Sequence, residues 1–216
     1  KLIRSGQVSV DGAVVKKPDT KVEQTVQEVC LNGEKVGYES FEYYMLNKPA
    51  GVISATEDRS CQTVVDLIKE KKRKDLFPVG RLDKDTEGLL LITNDGELAH
   101  RLLSPKKHVD KCYFARVSGK VTEDDVRSFE NGVNIGSLEQ PEITMPGKLE
   151  IITSDEISQI HLTIQEGKFH QVKRMFQAVG KEVIYLKRLR MGTLVLDENL
   201  SIGEYRPLTK EELEKL

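Results

Sequence analysis

Nothing in the 216 residues reads as a membrane span: no apolar run approaches the ~20 residues a helix needs to cross a bilayer. Cysteine is scarce. Cys30, Cys61 and Cys112 make neither an even set nor a Cys-x-x-Cys pair, which disfavours a disulfide framework and a structural zinc site alike. Thiols kept reduced in a cytoplasm fit better. The two charge signs nearly cancel, 33 Lys and Arg against 35 Asp and Glu for a net charge of −2. A nucleic-acid partner would therefore have to be met by positive charge gathered on part of the surface. Four basic groups offer that: Lys69 to Lys74, Lys106-Lys107-His108, Lys173-Arg174, and Lys187-Arg188 with Arg190. Each taken singly reads more simply as a solvated helix face. There is no internal repeat and no low-complexity segment. An initiator methionine is also missing: the chain opens as Lys1-Leu2-Ile3-Arg4 with a helical pattern already under way. A preceding helix is therefore expected to be absent from the sequence, and no secretory signal can be read.

What is present suits a globular chain, with 38% hydrophobic and 31% charged residues and length for one well-packed domain plus a small appendage. Val8-Ser9-Val10 runs into an Asp11-Gly12 turn that Val14-Val15 leaves, the pattern of a hairpin. Asn32-Gly33-Glu34-Lys35-Val36-Gly37 reads as a linker and puts a boundary near residue 38, with units 1–37 and 38–216. After it, Tyr43 to Leu46 is an apolar strand, Val64 to Lys71 a helix, Leu89 to Thr93 a buried strand and Glu97 to Leu103 a helix. Tyr113 to Val117, Leu149 to Thr153 and Ile160 to Gln165 read as strands. His170 to Val179 has helical spacing with Val172, Met175, Phe176 and Val179 on one face and Gly180 as its cap. Thr209 and Glu212 stand at capping-box spacing for a last helix. Strands this frequent, without regular strand–helix alternation, predict an α+β fold, a largely antiparallel mixed sheet flanked by helices, behind a small N-terminal α/β module.

The segment richest in chemistry is Gly80-Arg81-Leu82-Asp83-Lys84-Asp85-Thr86-Glu87-Gly88, feeding the buried strand Leu89-Leu90-Leu91-Ile92-Thr93. Glycines at both ends let backbone approach a ligand closely and hold Asp83 at a strand entrance. By composition alone this is more simply an acidic turn whose carboxylates bind neighbouring amides. The string Gly-Arg-Leu-Asp-x-Asp-Thr-x-Gly-Leu, however, is similar to the signature of the pseudouridine synthases, specifically the RsuA-like family that modifies bacterial ribosomal RNA. Further segments resemble that family in the same order: Tyr44-Met45-Leu46-Asn47-Lys48-Pro49-Ala50-Gly51, Leu98-Ala99-His100-Arg101-Leu102-Leu103-Ser104-Pro105, Lys111-Cys112-Tyr113, Glu166 to Met175, and Gly203-Glu204-Tyr205-Arg206-Pro207-Leu208. The resemblance covers nearly the whole chain. Leu149-Glu150-Ile151-Ile152, Lys173 and the closing Tyr205 to Thr209 look most like the small-subunit enzymes. Ile3 to Gly12 resembles the second half of the small RNA-binding module of the ribosomal-protein S-four type, without its first helix.

The resemblance implies the pseudouridine synthase fold and the isomerisation of a specific uridine to pseudouridine in small-subunit ribosomal RNA, without cofactor or metal. It makes Asp83 the nucleophile, acting either covalently or through a glycal. Lys173 would keep that carboxylate ionised where many relatives carry an arginine. Tyr113 would stack on the target base and assist at its C5 proton. Arg81 would fill the gap left by the extruded base, and Leu82, Arg174, His170 and Gln171 complete the implied substrate-binding set. The implied partner is ribosomal RNA, free or in a partly assembled small subunit, met by a monomer in the cytoplasm and away from any membrane.

Simpler readings stand beside these. Tyr113 would otherwise be a strand aromatic in the core, and Lys173-Arg174 an exposed basic pair. His100 and His170 lack a third ligand at metal spacing. A glycosidase working through Asp83 and Asp85 lacks an acid partner across a sugar site. Two alternatives remain open: a large-subunit RNA enzyme of the same family, and a noncatalytic RNA-binding or ribosome-assembly protein that would not need Asp83.

Overall fold

Two dipeptides, Asp11-Gly12 and Asn32-Gly33, shape the N-terminal sheet. All four residues adopt positive φ, 48° and 79° in the first pair and 52° and 84° in the second, as the tight two-residue hairpin turn requires. The first pair joins β1 (Val8–Val10) to β2 (Ala13–Val14) and the second joins β3 (Val29–Leu31) to β4 (Glu34–Lys35). The strands lie antiparallel in the order β2-β1-β3-β4. The expected linker at Asn32 to Lys35 is thus a second hairpin, its Asn-Gly turn pairing strands instead of separating units. The helical start is a single turn in which the Ser5 N–H reaches the Lys1 carbonyl at 3.1 Å.

This computed structural model describes residues 1–23, 26–36 and 41–216 and separates into two units, Lys1–Ser40 and Phe41–Leu216. The boundary expected near residue 38 lies outside the described residues.

The second unit is an α+β structure on a mixed, largely antiparallel sheet. In chain order it contains β5 (Tyr43–Lys48), β6 (Phe77–Pro78), β7 (Glu87–Thr93), α1 (Gly96–Leu103), β8 (Lys111–Ser118), α2 (Glu123–Asn131), β9 (Lys148–Thr153) and β10 (Ile157–Ile164). Then follow α3 (Gln171–Ala178), β11 (Glu182–Met191), β12 (Leu194–Val195), β13 (Tyr205–Pro207) and α4 (Lys210–Glu214). The main path runs β13-β5-β7-β11-β8-β10-β9, with β6 on β7 and β12 on β11. Among the described strands of this sheet, β7 and β11 pair in parallel and the other neighbours antiparallel. That parallel seam joins the two halves of the sheet.

Alternation sorts the core onto both faces of the sheet. Tyr44, Leu46, Leu90 and Ile92 join one cluster, with Phe129 of α2 and Val172, Met175 and Phe176 of α3. Met45, Leu89 and Leu91 join the other, under Leu98, Ala99 and Leu102 of α1. Leu89 to Ile92 are all fully buried, each worth about 2 kcal/mol in transfer free energy; this is why β7 reads as an unbroken apolar run. Helix ends follow their sequence signals. Asp95 caps α1 by accepting the Glu97 and Leu98 amides, and Thr122 and Thr209 form reciprocal capping boxes with Asp125 and Glu212.

One expected helix does not form. Val64 to Lys71 is reduced to a single 3₁₀ turn, Val65–Leu67. The amides that would have continued it are engaged elsewhere: Lys69 and Glu70 N–H donate to the Tyr205 hydroxyl, and Lys72 and Arg73 N–H to the Glu42 carboxylate. Like charges from Lys69 to Lys74 also repel at helical spacing. The basic group Lys187-Arg188 with Arg190 lies on strand β11, not on a helix face.

Candidate active site

Asp83 sits on the connection between β6 and β7, at the parallel seam. Three contacts fix its backbone. The Ser54 hydroxyl accepts the Leu82 N–H at 3.0 Å and donates to the Leu82 carbonyl at 2.9 Å. The Thr86 N–H closes a turn on the Asp83 carbonyl at 3.1 Å. The third is Lys48, fully buried at the end of β5, whose ammonium donates to the carbonyls of Thr86 (2.8 Å), Asp83 (3.0 Å), Pro49 (3.0 Å) and Lys84 (3.2 Å). Burial pushes the Lys48 pKa down to about 8, although Asp85, Asp83 and Glu87 pull the other way. In the sequence Lys48 stands only within the family-like segment Tyr44 to Gly51; its clamp on the loop depends on tertiary placement. Gly88 completes the arrangement: its φ is +100°, and a Cβ there would overlap the Arg188 carbonyl oxygen. Only glycine lets β7 lie this close to β11.

A pocket opens over the seam, with an empty volume of about 440 Å³, and Arg81, Leu82, Asp83, Tyr113, His170, Gln171 and Lys173 are among its lining residues. Tyr113 reaches it from β8 and is 8% exposed, while α3 and the loop before it bring the cations. Lys173 Nζ lies 3.2 Å from Asp83 Oδ2 and closer still to Asp85, at 2.6 and 2.9 Å. His170 Nε2 is 3.6 Å from Asp83 Oδ1. The ammonium of Lys173 therefore bridges two carboxylates. Its hydrogen bond holds the Asp85 pKa below the usual carboxylate range against the effect of burial. Burial lowers the Lys173 pKa, but its bonds to Asp85 and Asp83 outweigh that and the net shift is upward.

The other expected site residues divide. Arg81 is exposed and borders three adjoining pockets. Leu82 points partly into the core. Gln171 lines the pocket but its amide is committed inward, accepting the Lys168 N–H and donating to Glu166. Arg174 is not brought to Asp83: its guanidinium binds the Ile135 and Phe169 carbonyls and the Glu142 carboxylate. An arginine one helical position after Lys173 points about 100° away from it, which turns Arg174 from the pocket. His170 takes a left-handed φ of 47° as it enters α3. Its ring stacks on Phe169, centroids 3.9 Å apart, and Phe169 is 76% exposed. The sequence contains Phe169 within a family-like string but carries no separate signal for this stack. His100 lies on the exposed side of α1, away from these pockets.

Comparison with known proteins bears on the family. Residues 42–178 match the family described as RNA pseudouridylate synthase. An RNA pseudouridine synthase of Bacillus subtilis (strain 168) is 53% identical over 100% of this chain and 90% of its own length. The ribosomal small subunit pseudouridine synthase A of Escherichia coli (strain K12) is 41% identical over 98% of this chain and 89% of its own. A crystal structure of a pseudouridylate synthase superposes with a TM-score of 0.75 at 39% identity, covering 99% of this chain and 90% of that one. The chain belongs to the RNA pseudouridylate synthase family, in its RsuA-like branch.

Proposed function

We propose that this pseudouridine synthase isomerises one uridine of bacterial small-subunit ribosomal RNA, with Asp83 as the carboxylate that acts on the ribose. The observation that carries the reading is a carboxylate, a cation 3.2 Å away and a largely buried tyrosine meeting in one pocket. The Lys173 ammonium at that distance complements the negative charge of the carboxylate.

The reaction breaks the N1–C1′ bond and forms C5–C1′, with one proton lost from C5 and one gained at N1, so atoms balance without redox or a group donor. In a covalent route an Asp83 oxygen attacks C1′ and uracil departs with the N1–C1′ electron pair. The base turns, C5 attacks C1′, and the carboxylate is expelled. In a glycal route Asp83 removes the C2′ proton and later returns it. Tyr113 offers a stacking face, and its phenol is the group for the C5 proton. Extrusion of the uridine from folded RNA costs a few kcal/mol, and Arg81, exposed at the pocket mouth, is the side chain to occupy the vacated stack. Leu82 and His170 border the bound nucleotide.

The small-subunit assignment draws on the E. coli relative of that name and on Lys173 in place of an arginine. The unit Lys1–Ser40 would supply further RNA affinity. The substrate would be met by a monomer, as free RNA or as a partly assembled subunit, in the cytoplasm. The test is to incubate the chain with small- and large-subunit ribosomal RNA, free and as particles, and map pseudouridine by chemical labelling and primer extension. One new site in the small-subunit RNA is expected; a new site in large-subunit RNA alone would overturn the assignment.

A further inference from the structure

A second pocket adjoins the first, sharing Arg81, Tyr113 and Gly167 with it and adding Arg188, Lys111 and Glu166. Arg188 is 2% exposed. Its Nε donates to the Leu89 carbonyl at 2.8 Å, and its Nη2 is buried with no hydrogen-bond partner. Among the described residues no carboxylate forms an ion pair with it. A guanidinium cannot escape by losing its proton, so this is a buried charge with donors to spare. Lys111 stands close enough to feel it: burial and the charge of Arg188 push the Lys111 pKa down, while Asp110 and Glu166 oppose them. Lys111 itself makes one hydrogen bond, to the Val109 carbonyl at 3.1 Å. Glu166 is occupied on its other side, accepting the Met145 N–H and the Gln171 amide and facing Lys168 at 3.6 Å.

Two cations held beside one pocket, one with unspent donors, describe an anion site that the protein leaves to its ligand. A merely structural Arg188 would need its Nε bond and no lysine beside it. The register supports the placement, because Arg188 lies directly opposite Tyr113 on the neighbouring strand, and directly opposite residues present their side chains on one face. We propose that Arg188 and Lys111 together hold a phosphodiester of the RNA, the one adjoining the uridine that Asp83 engages. This rests on the RNA substrate and adds a grip through which the target nucleotide is positioned. The guanidinium fork suits two phosphate oxygens, with the ammonium as a point charge on the same group.

The experiment uses the full chain with R188M, R188K, K111M and the R188M/K111M pair. RNA affinity is measured over a salt series, and uridine, uridine 5′-monophosphate and uridine 3′-monophosphate are compared as competitors. With the wild type, one monophosphate is expected to compete about tenfold better than uridine, and R188M to lose that advantage. R188M and K111M are each expected to flatten the plot of log affinity against log salt by about 0.7, the loss of one single-strand phosphate contact. The pair should lose no more than about what one change loses, because both act on one group. R188K should retain part of the preference. If R188M fails to fold, K111M carries the same readouts, since its head group is anchored by one carbonyl alone. Wild-type salt slopes and equal competition by nucleotide and nucleoside would overturn the proposal. Absence of pseudouridine in every ribosomal RNA would sink the substrate reading instead, and the monophosphate comparison would still decide the pocket.

Discussion

At the scale of single residues, two lysines set the state of the Asp83 loop in opposite ways. Lys48 is a cation whose folded pKa, about 8, lies below its ordinary 10.5. Between those values the unfolded chain binds a proton that the folded chain lacks, so this group's contribution to stability rises with pH across the window. Its amine meanwhile has fewer N–H groups for the four carbonyls it clamps. Activity is therefore expected to decline above about pH 8 with no loss of stability attributable to Lys48, which rate profiles and thermal melts over the same pH series would separate. Replacing it, K48M, strands those carbonyls and should cost at least about 2 kcal/mol in urea unfolding. Lys173 behaves differently. Its folded pKa is raised and that of Asp85 is lowered, so the bridge stands from below the ordinary carboxylate value to above the ordinary lysine value. Asp85 is 72% exposed at its side chain, and D85N should therefore cost less than about 1 kcal/mol. K173M should instead lower the rate of pseudouridine formation at matched RNA occupancy, because the cation 3.2 Å from Asp83 is lost, whereas K173R keeps most of that rate; an undiminished rate in K173M would contradict the pairing.

At the scale of elements, the seam between β7 and β11 is the tightest constraint. G88A places a methyl group on the Arg188 carbonyl at a φ of +100°. It should cost more than about 4 kcal/mol, the range reserved for strained or overpacked sites, and appear as loss of the folded state in circular dichroism. Much of this layer was legible in the sequence. The continuous apolar run of β7, the helical stripe of α3 and the capping box of α4 are local patterns, and local patterns survive into the fold. The failures share a cause. Val64 to Lys71 has helical spacing, but Tyr205 takes the Lys69 and Glu70 amides and Glu42 those of Lys72 and Arg73 just beyond it, and both acceptors lie far away in sequence. Asn32-Gly33 is a hairpin signal hidden among residues that read equally well as linker. At the site, Asp83, Tyr113 and Lys173 stand in three separate family-like segments that the fold brings to one pocket, while the Lys48 clamp, the inward turn of Arg174 and the unsatisfied Nη2 of Arg188 arise only from packing. E42A is expected to release the Lys69–Lys74 segment and cost about 1–3 kcal/mol; faster amide exchange confined to that segment would confirm it.

At the scale of the whole molecule, the near-zero net charge of −2 is compatible with an RNA substrate because cations gather locally around Asp83: Arg81, Lys84, Lys168 and Lys173 all border its pockets. RNA binding should accordingly weaken with salt. None of the described residues of the unit Lys1–Ser40 lines the pockets around Asp83, so a chain reduced to Phe41–Leu216 should keep its turnover rate within about threefold while its KM for ribosomal RNA rises about tenfold or more, as loss of binding shared by ground and transition states requires. The most direct test of the central claim is single-turnover pseudouridine formation by wild type and D83A on the same ribosomal RNA, with binding measured alongside. The expected result is one new pseudouridine with the wild type and none with D83A at matched RNA occupancy. Pseudouridine formed by D83A at an undiminished rate would show that the carboxylate at the seam is not the group that acts on the ribose.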